Sequence, residues 1–421
     1  MTLAEHLPDA RPAHPAVFMF LCAPFGVVSG FLSVAIGYLL SQAGLSVEEI
    51  AALVAASFIP QTWKFLWAPI ADTTLSSKRW YVLSCAVSAL GIYAISALPA
   101  TRASLPWLYA IAVLSSFATT FLAMACESLL AYDTPPERKG RASGWYQAGN
   151  LGGGGLGGGA GLWLAQVLPA PWMSGAILGL ASFACCLALF FIREPVRAPR
   201  TARYVHEVAE VARDLWSVTK SHAGLMALLI CFLPLGTGAA SGLWSAVASD
   251  WNASADTVAL VTGVVGGIAS AIGCFMGGWL CDRMDRKDAY ALFGFLLACC
   301  AVGMAMAPRT EAMYVVYTTI YSWISGLSYA GFTAIVLETI GKGAAATKYN
   351  LYASLSNMPI AYMIMIDGWA HTRWGAGGML MTEAVIGVAA ILVFYAIARG
   401  VRTLRARRAP LPGLEAPGSD P

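Results

Sequence analysis

Apolar residues run along this chain in long blocks, and polar residues collect in short segments between them. From Ala142 to Ile192 there is no Asp, Glu, Lys or Arg. A helix crosses a hydrocarbon core of roughly 30 Å in about 20 residues. That stretch is too long for one crossing and fits two, with Leu168-Pro169-Ala170-Pro171 as the turn. Read in this way, the chain predicts spans near 16–40, 48–71, 79–99, 105–131, 143–168 and 171–192. A second set follows near 223–248, 256–281, 288–308, 311–338, 347–370 and 376–399. Strands of a membrane barrel alternate in short segments and never give runs of this length. The predicted fold class is therefore an all-α membrane protein of twelve helices. The first apolar run is too long for a signal-peptide core and no A-x-A site closes it, so no cleaved leader is expected.

Composition agrees with this pattern: 58% of the 421 residues are hydrophobic and 12% charged. Soluble domains carry roughly twice that share of charge. The positive charges predict an orientation. All but four of the 26 Lys and Arg residues fall in the two termini and the alternate loops on their side; Arg102, Arg309 and Arg373 lie in the opposite loops and Lys64 inside a span. Basic loops stay in the cytoplasm, so both termini are expected there, in a multi-pass protein of a bacterial inner membrane. The net charge of +3 is a topology signal. The basic run Arg399 to Arg408 suits an anionic leaflet, and no nucleic-acid partner is expected.

Chemistry that needs clustered ligands finds no place. All ten cysteines lie inside predicted spans without a C-x-x-C, as small apolar packing residues do. None of the five histidines sits in mid-membrane or pairs at metal-ligand spacing. No metal, no cofactor and no enzyme activity is expected.

The chain divides at its longest inner segment. A cytoplasmic N-terminus, 1–15, leads into a six-helix half, 16–192. A linker, 193–222, carries Val205, Val208, Ala212, Leu215 and Thr219 at helical spacing, the pattern of a surface-lying amphipathic helix. A second six-helix half, 223–399, ends in a basic tail, 400–421. The halves echo each other. Asp72 and Asp282 end the second span of each, and Glu127 and Glu338 lie near the inner end of each fourth span.

Two sets of motifs carry a family resemblance. Gly278-Trp279-Leu280-Cys281-Asp282-Arg283-Met284-Asp285-Arg286-Lys287 resembles the G-x-L-x-D-R-x-G-R-R loop of the major facilitator superfamily, departing at Asp285 where glycine is usual. Lys64-Phe65-Leu66-Trp67-Ala68-Pro69-Ile70-Ala71-Asp72 resembles the K-F-L-W-A-P-x-x-D segment of AmpG-type permeases, a group of muropeptide importers, siderophore importers and acetyl-CoA carriers. Asp133 to Gly140 and Ala346 to Ser356 resemble two further segments of that group. Its muropeptide members often have two spans more than the twelve read here. The resemblance implies two halves rocking about a central site. It also implies a gating set, Asp72, Gly278, Asp282, Arg283, Arg286 and Lys287. In that set Asp282 faces the inner start of the fifth span near Ser143, and Asp72 faces that of the eleventh near Thr347.

Ionisable groups in hydrocarbon cost at least a few kcal/mol and are functional candidates by default. Lys64 lies eight residues before Asp72, about 12 Å above the inner surface, and Glu127 is the acid at comparable depth. The pair reads either as a substrate-anion site that exchanges partners or as a fixed buried bridge. Glu127 and Glu338 are candidate proton carriers. Asp367 and Glu383 lie toward the outer face, where a solvated vestibule accounts for them. Tyr146, Gln147 and Asn150 on the fifth span, and Tyr349, Asn350, Tyr352 and Asn357 on the eleventh, either bind a large polar solute or bond helix to helix. Glycine fills eight of the ten positions from Gly152 to Gly161, which predicts close helix packing.

The expected function is secondary active import of a polar, muropeptide- or siderophore-like solute, proton-coupled and by alternating access. The partners are a small-molecule substrate, protons and the bilayer, and the chain is expected as a monomer. The alternatives are efflux of small molecules and a non-transporting membrane assembly role. No nucleotide-binding motif supplies ATP as a driver.

Overall fold

A computed structural model describes residues 13–135, 139–194, 213, 222–340 and 351–408. The linker 193–222 lies almost wholly outside these residues, as do Tyr349, Asn350 and the end of the tail. The side chains of Asp72 and Glu338 are also outside them. Among the described residues there are helices and no strands.

Among the described residues the helices make up twelve spans in two six-helix halves. The first half holds α1 (Val17–Gln42), α2 (Val47–Trp63, continued to Thr73), α3 (Ser77–Ala97) and α4 (Leu105–Asp133). It closes with α5 (139–167) and α6 (Pro171–Phe191). The second half holds α7 (His222–Phe232 and the turns after it), α8 (Ala255–Cys281), α9 (Arg286–Met306) and α10 (Glu311–Ile340). A final run, Asn357–Arg408, is bent at Gly375, whose φ of 67° is non-helical, and gives α11 before the bend and α12 after it. Inner and outer ends are named below from the loop charge. Large apolar side chains point outward all round, Phe190 at 84% and Phe275 at 83% exposed among them. In water such a surface would aggregate; in lipid it is the solvated face.

Capping fixes where helices begin. Ser46 and Glu49 form a capping box at the outer start of α2, and Glu49 also holds Arg102 of the α3–α4 loop at 2.7 Å. In the second half Ser254 caps α8, and Glu311 of α10 accepts from the Ser254 amide at 2.9 Å. The two caps repeat one device at equivalent positions.

The glycine run does the packing that the sequence predicts. A Cβ at Gly153 would lie 2.2 Å from the Ala23 carbonyl oxygen, and one at Gly157 2.2 Å from that of Val27. Only hydrogen fits between α5 and α1. One helical face further on, a Cβ at Gly159 would reach the Ala259 carbonyl oxygen at 2.6 Å, so the same run also seats α8 of the other half. Both helices widen to π turns there, at Leu156–Ala160 and Ala259–Val265.

Other contacts between the halves gather at the same outer level. Ser41 Oγ donates to the Ala246 carbonyl at 2.8 Å and Ser245 Oγ to that of Ser33 at 2.6 Å, joining α1 to α7. A Cβ at Gly368 of α11 would sit 2.3 Å from Ala51 Cβ of α2. The outer ends of the two halves thus pack backbone to backbone.

The seventh span differs from a simple apolar helix. Pro234 lacks an N–H, and Gly236 and Gly238 take φ of 58° and 63°, so α7 breaks. It continues as short turns at Ala239–Leu243 and Ala248–Trp251. The periodicity of the apolar residues does not register this break, because hydropathy runs through it unchanged.

Candidate functional site

The first half gathers its polar groups where α2 is interrupted. Pro69 has no N–H to give, and its ring conflicts with the carbonyl four residues back. The helix accordingly tightens to a 3₁₀ turn at Lys64–Leu66, between Trp63 and Trp67, both with φ near −105°. Lys64 leaves the bundle wall at this turn. Its Nζ lies 3.6 Å from Glu127 Oε1 of α4, with the side chains 12% and 28% exposed. Tyr146 OH of α5 donates to the same oxygen at 3.2 Å, and Cys22 of α1 touches Tyr146. The other carboxylate oxygen, Oε2, is buried with no hydrogen-bond partner among the described residues. Side chains of α2, α4 and α5 thus meet at one carboxylate, with Cys22 of α1 beside Tyr146.

Polar side chains along α2 and α4 hold this geometry. Gln61 Nε2 donates to Thr119 Oγ1 at 2.9 Å, and Trp67 Nε1 to Thr120 Oγ1 at 2.8 Å. Beside the ion pair, Asn150 donates to Gln147 Oε1 at 3.4 Å and Gln147 to Tyr329 OH of α10 at 3.1 Å. This chain crosses from one half to the other one residue from Tyr146. Inward of it, Phe65 packs against an apolar cluster of Leu228, Val336, Tyr352 and Leu355.

The remaining candidates take separate places. Tyr352 is 1% exposed in that apolar cluster, and its OH has no partner among the described residues. Asn357 donates to the carbonyls of Ala353 and Ser354 at 3.1 and 3.2 Å, which ties it to the preceding helical turn. Glu338 lies near the inner end of α10. At the gating loop Asp282 is exposed, Arg283 stacks on Trp279 at 3.7 Å, and a Cβ at Gly278 would meet nothing. The Ser143 and Thr347 side chains that the resemblance places opposite Asp282 and Asp72 are outside the described residues. Asp285, the departure from glycine, has a role of its own: its Oδ1 accepts from the Lys287 and Asp288 amides and caps α9.

Asp367 and Glu383 correct the expectation of a solvated vestibule. Asp367 is fully buried and both its oxygens lack a partner among the described residues. Glu383 Oε1 accepts from the Ala240 amide at 3.2 Å and from Tyr321 OH, while its Oε2 is buried without a partner among the described residues. The sequence marks both residues as intramembrane acids. It carries no signal that the broken α7 reaches Glu383 or that Asp367 is fully buried.

The comparison with known proteins decides the family. A model of the major facilitator superfamily matches residues 17–364. The chain belongs to the major facilitator superfamily. Membership makes it a membrane transporter by family, and that family is not one of enzymes. The anhydromuropeptide permease of Escherichia coli (strain K12) is 24% identical over 354 residues, 78% of this chain and 69% of the relative. The same figures hold for the anhydromuropeptide permease of Escherichia coli O157:H7. Among solved structures, the nucleoside transporter NupG superposes with a TM-score of 0.70 at 13% identity, covering 90% of this chain and 98% of that one. A D-xylose-proton symporter superposes at 0.69 and 13%, covering 90% and 96%. These two likenesses establish the twelve-helix fold, and the AmpG-type resemblance of Lys64 to Asp72 agrees with the permease match.

Proposed function

We propose that this chain imports a polar, anion-bearing solute of the muropeptide type across the inner membrane, with its termini in the cytoplasm, and couples import to protons. The observation that carries the reading is the Lys64–Glu127 pair: one cation at the interruption of α2, and one carboxylate on α4 whose Oε2 has no partner among the described residues. A substrate carboxylate that takes Lys64 leaves Glu127 without its cation, and an unpaired carboxylate at that depth takes up a proton instead. Substrate and proton then travel together, and the return of Lys64 to Glu127 releases both. The match to the anhydromuropeptide permease supports the substrate class. The site's position beside the Gln147–Tyr329 bridge between halves supports its link to rocking.

Proteoliposomes with a trapped pH dye test this reading. Anhydromuropeptides added outside acidify the lumen of wild-type vesicles, and Glu127→Gln abolishes the acidification while retaining substrate binding. Uptake by the wild type without acidification removes proton coupling. No uptake of muropeptides, or of ferric siderophores as the second substrate class, removes the substrate assignment.

A further inference from the structure

The second half contains a buried acidic cluster that the Lys64–Glu127 site does not use. Asp367 on α11 is fully buried, and neither of its oxygens has a partner among the described residues. Glu383 on α12 lies within electrostatic reach of it. Tyr321 on α10 donates to Glu383 Oε1, and the break in α7 supplies the Ala240 N–H to the same oxygen at 3.2 Å. Trp244 packs edge-on to Tyr321 at 5.1 Å, and its Nε1 and the nearby Ser325 Oγ are likewise buried without partners.

No cation compensates these carboxyls among the described residues. The cations of this end lie elsewhere, Arg309 over Trp251 at 4.2 Å and Arg373 over Trp369 at 4.9 Å. His371, one turn beyond Asp367 on α11, is engaged with Asp250 at 2.7 Å. The other titratable neighbours are Cys300 on α9, Tyr314 on α10 and, across the half boundary, the exposed Glu48 on α2. Two buried carboxylates with no cation between them repel each other and lose their hydration, and a proton on either one reduces both costs. Gly368, next to Asp367, has only hydrogen's room against Ala51 of α2. The contact of α11 with the first half thus lies one residue from Asp367.

We infer that Asp367 and Glu383 form a second proton-binding site, loaded from the outer face when α2 leaves α11 and occluded in the packed state seen here. The site is separate from Glu127 and binds its proton whether or not substrate is present.

Infrared difference spectroscopy of the full chain in nanodiscs, titrated with pH, reads the protonated-acid carbonyl band without any substrate. The expected result is a band that survives Glu127→Gln and is lost in Asp367→Asn or Glu383→Gln, with Asp367→Glu restoring it shifted. Labelling of the wild type by a hydrophobic carbodiimide, located by mass spectrometry, needs no variant. It is expected on Asp367 or Glu383 at low pH and to fall as pH rises. A band unchanged in both variants, or a wild type labelled at neither residue, overturns the inference. Because neither measurement involves transport, failure of muropeptide uptake leaves this result standing, and the reverse also holds.

Discussion

Removing Lys64 alone, Glu127 alone, or both separates a working ion pair from two independent side chains. At 3.6 Å and an effective dielectric of about 20, the attraction is on the order of 5 kcal/mol. Desolvation offsets much of it. Breaking one partner of a fully buried pair costs about 3–5 kcal/mol. Here the lysine is 12% and the glutamate 28% exposed, so the pair is not fully enclosed, and about 2–3 kcal/mol is expected for Lys64→Met or Glu127→Gln. The double variant removes both charges and is expected to lose under about 1 kcal/mol, giving a coupling of roughly 3–6 kcal/mol. Thermal unfolding in one detergent reads this as a Tm about 3 °C lower in each single variant, with most of that recovered in the double. Transport stays absent in all three. Additive losses, with the double variant the least stable, would refute the claim that the two charges hold each other.

Three further outcomes follow from the packing. Gly153→Ala is expected to lower stability by about 1–3 kcal/mol, because its Cβ would meet the Ala23 carbonyl oxygen at 2.2 Å. Gly152→Ala, which meets nothing within 4 Å, is expected to be neutral or to gain up to about 1 kcal/mol; Tm values of the two decide. Gly37→Cys with Ser245→Cys is expected to cross-link the outer ends, since a Cβ at Gly37 lies 2.8 Å from Ser245 Oγ. Uptake should then disappear and return on reduction, and undiminished uptake in cross-linked protein would count against outer opening. Asp285→Ala is expected to cost about 0.5–2 kcal/mol by uncapping α9, measurable as a Tm drop with transport per folded molecule unchanged.

The sequence alone determined what depends on local composition. Charge-free runs marked the spans, because hydrocarbon thickness sets a length that a one-dimensional pattern can show. The basic loops predicted an orientation, and the motifs at Lys64 to Asp72 and Gly278 to Lys287 pointed to the family that the comparisons bear out. The glycine run announced close packing without naming α1 and α8 as its neighbours. Depth along a span also matched Lys64 with Glu127 as a candidate pair. Tertiary structure decided everything that depends on which helix faces which. It set the 3.6 Å separation, brought Tyr146 to the same oxygen and left Oε2 without a partner. It gave Asp285 a cap to make in place of a glycine's turn. It also moved Asp367 from an expected vestibule to a fully buried position. The physical reason is common to these cases. Hydropathy reports that a side chain leaves water, while its charge state and partners depend on helix rotation and crossing, which arise only when twelve apolar surfaces choose one another.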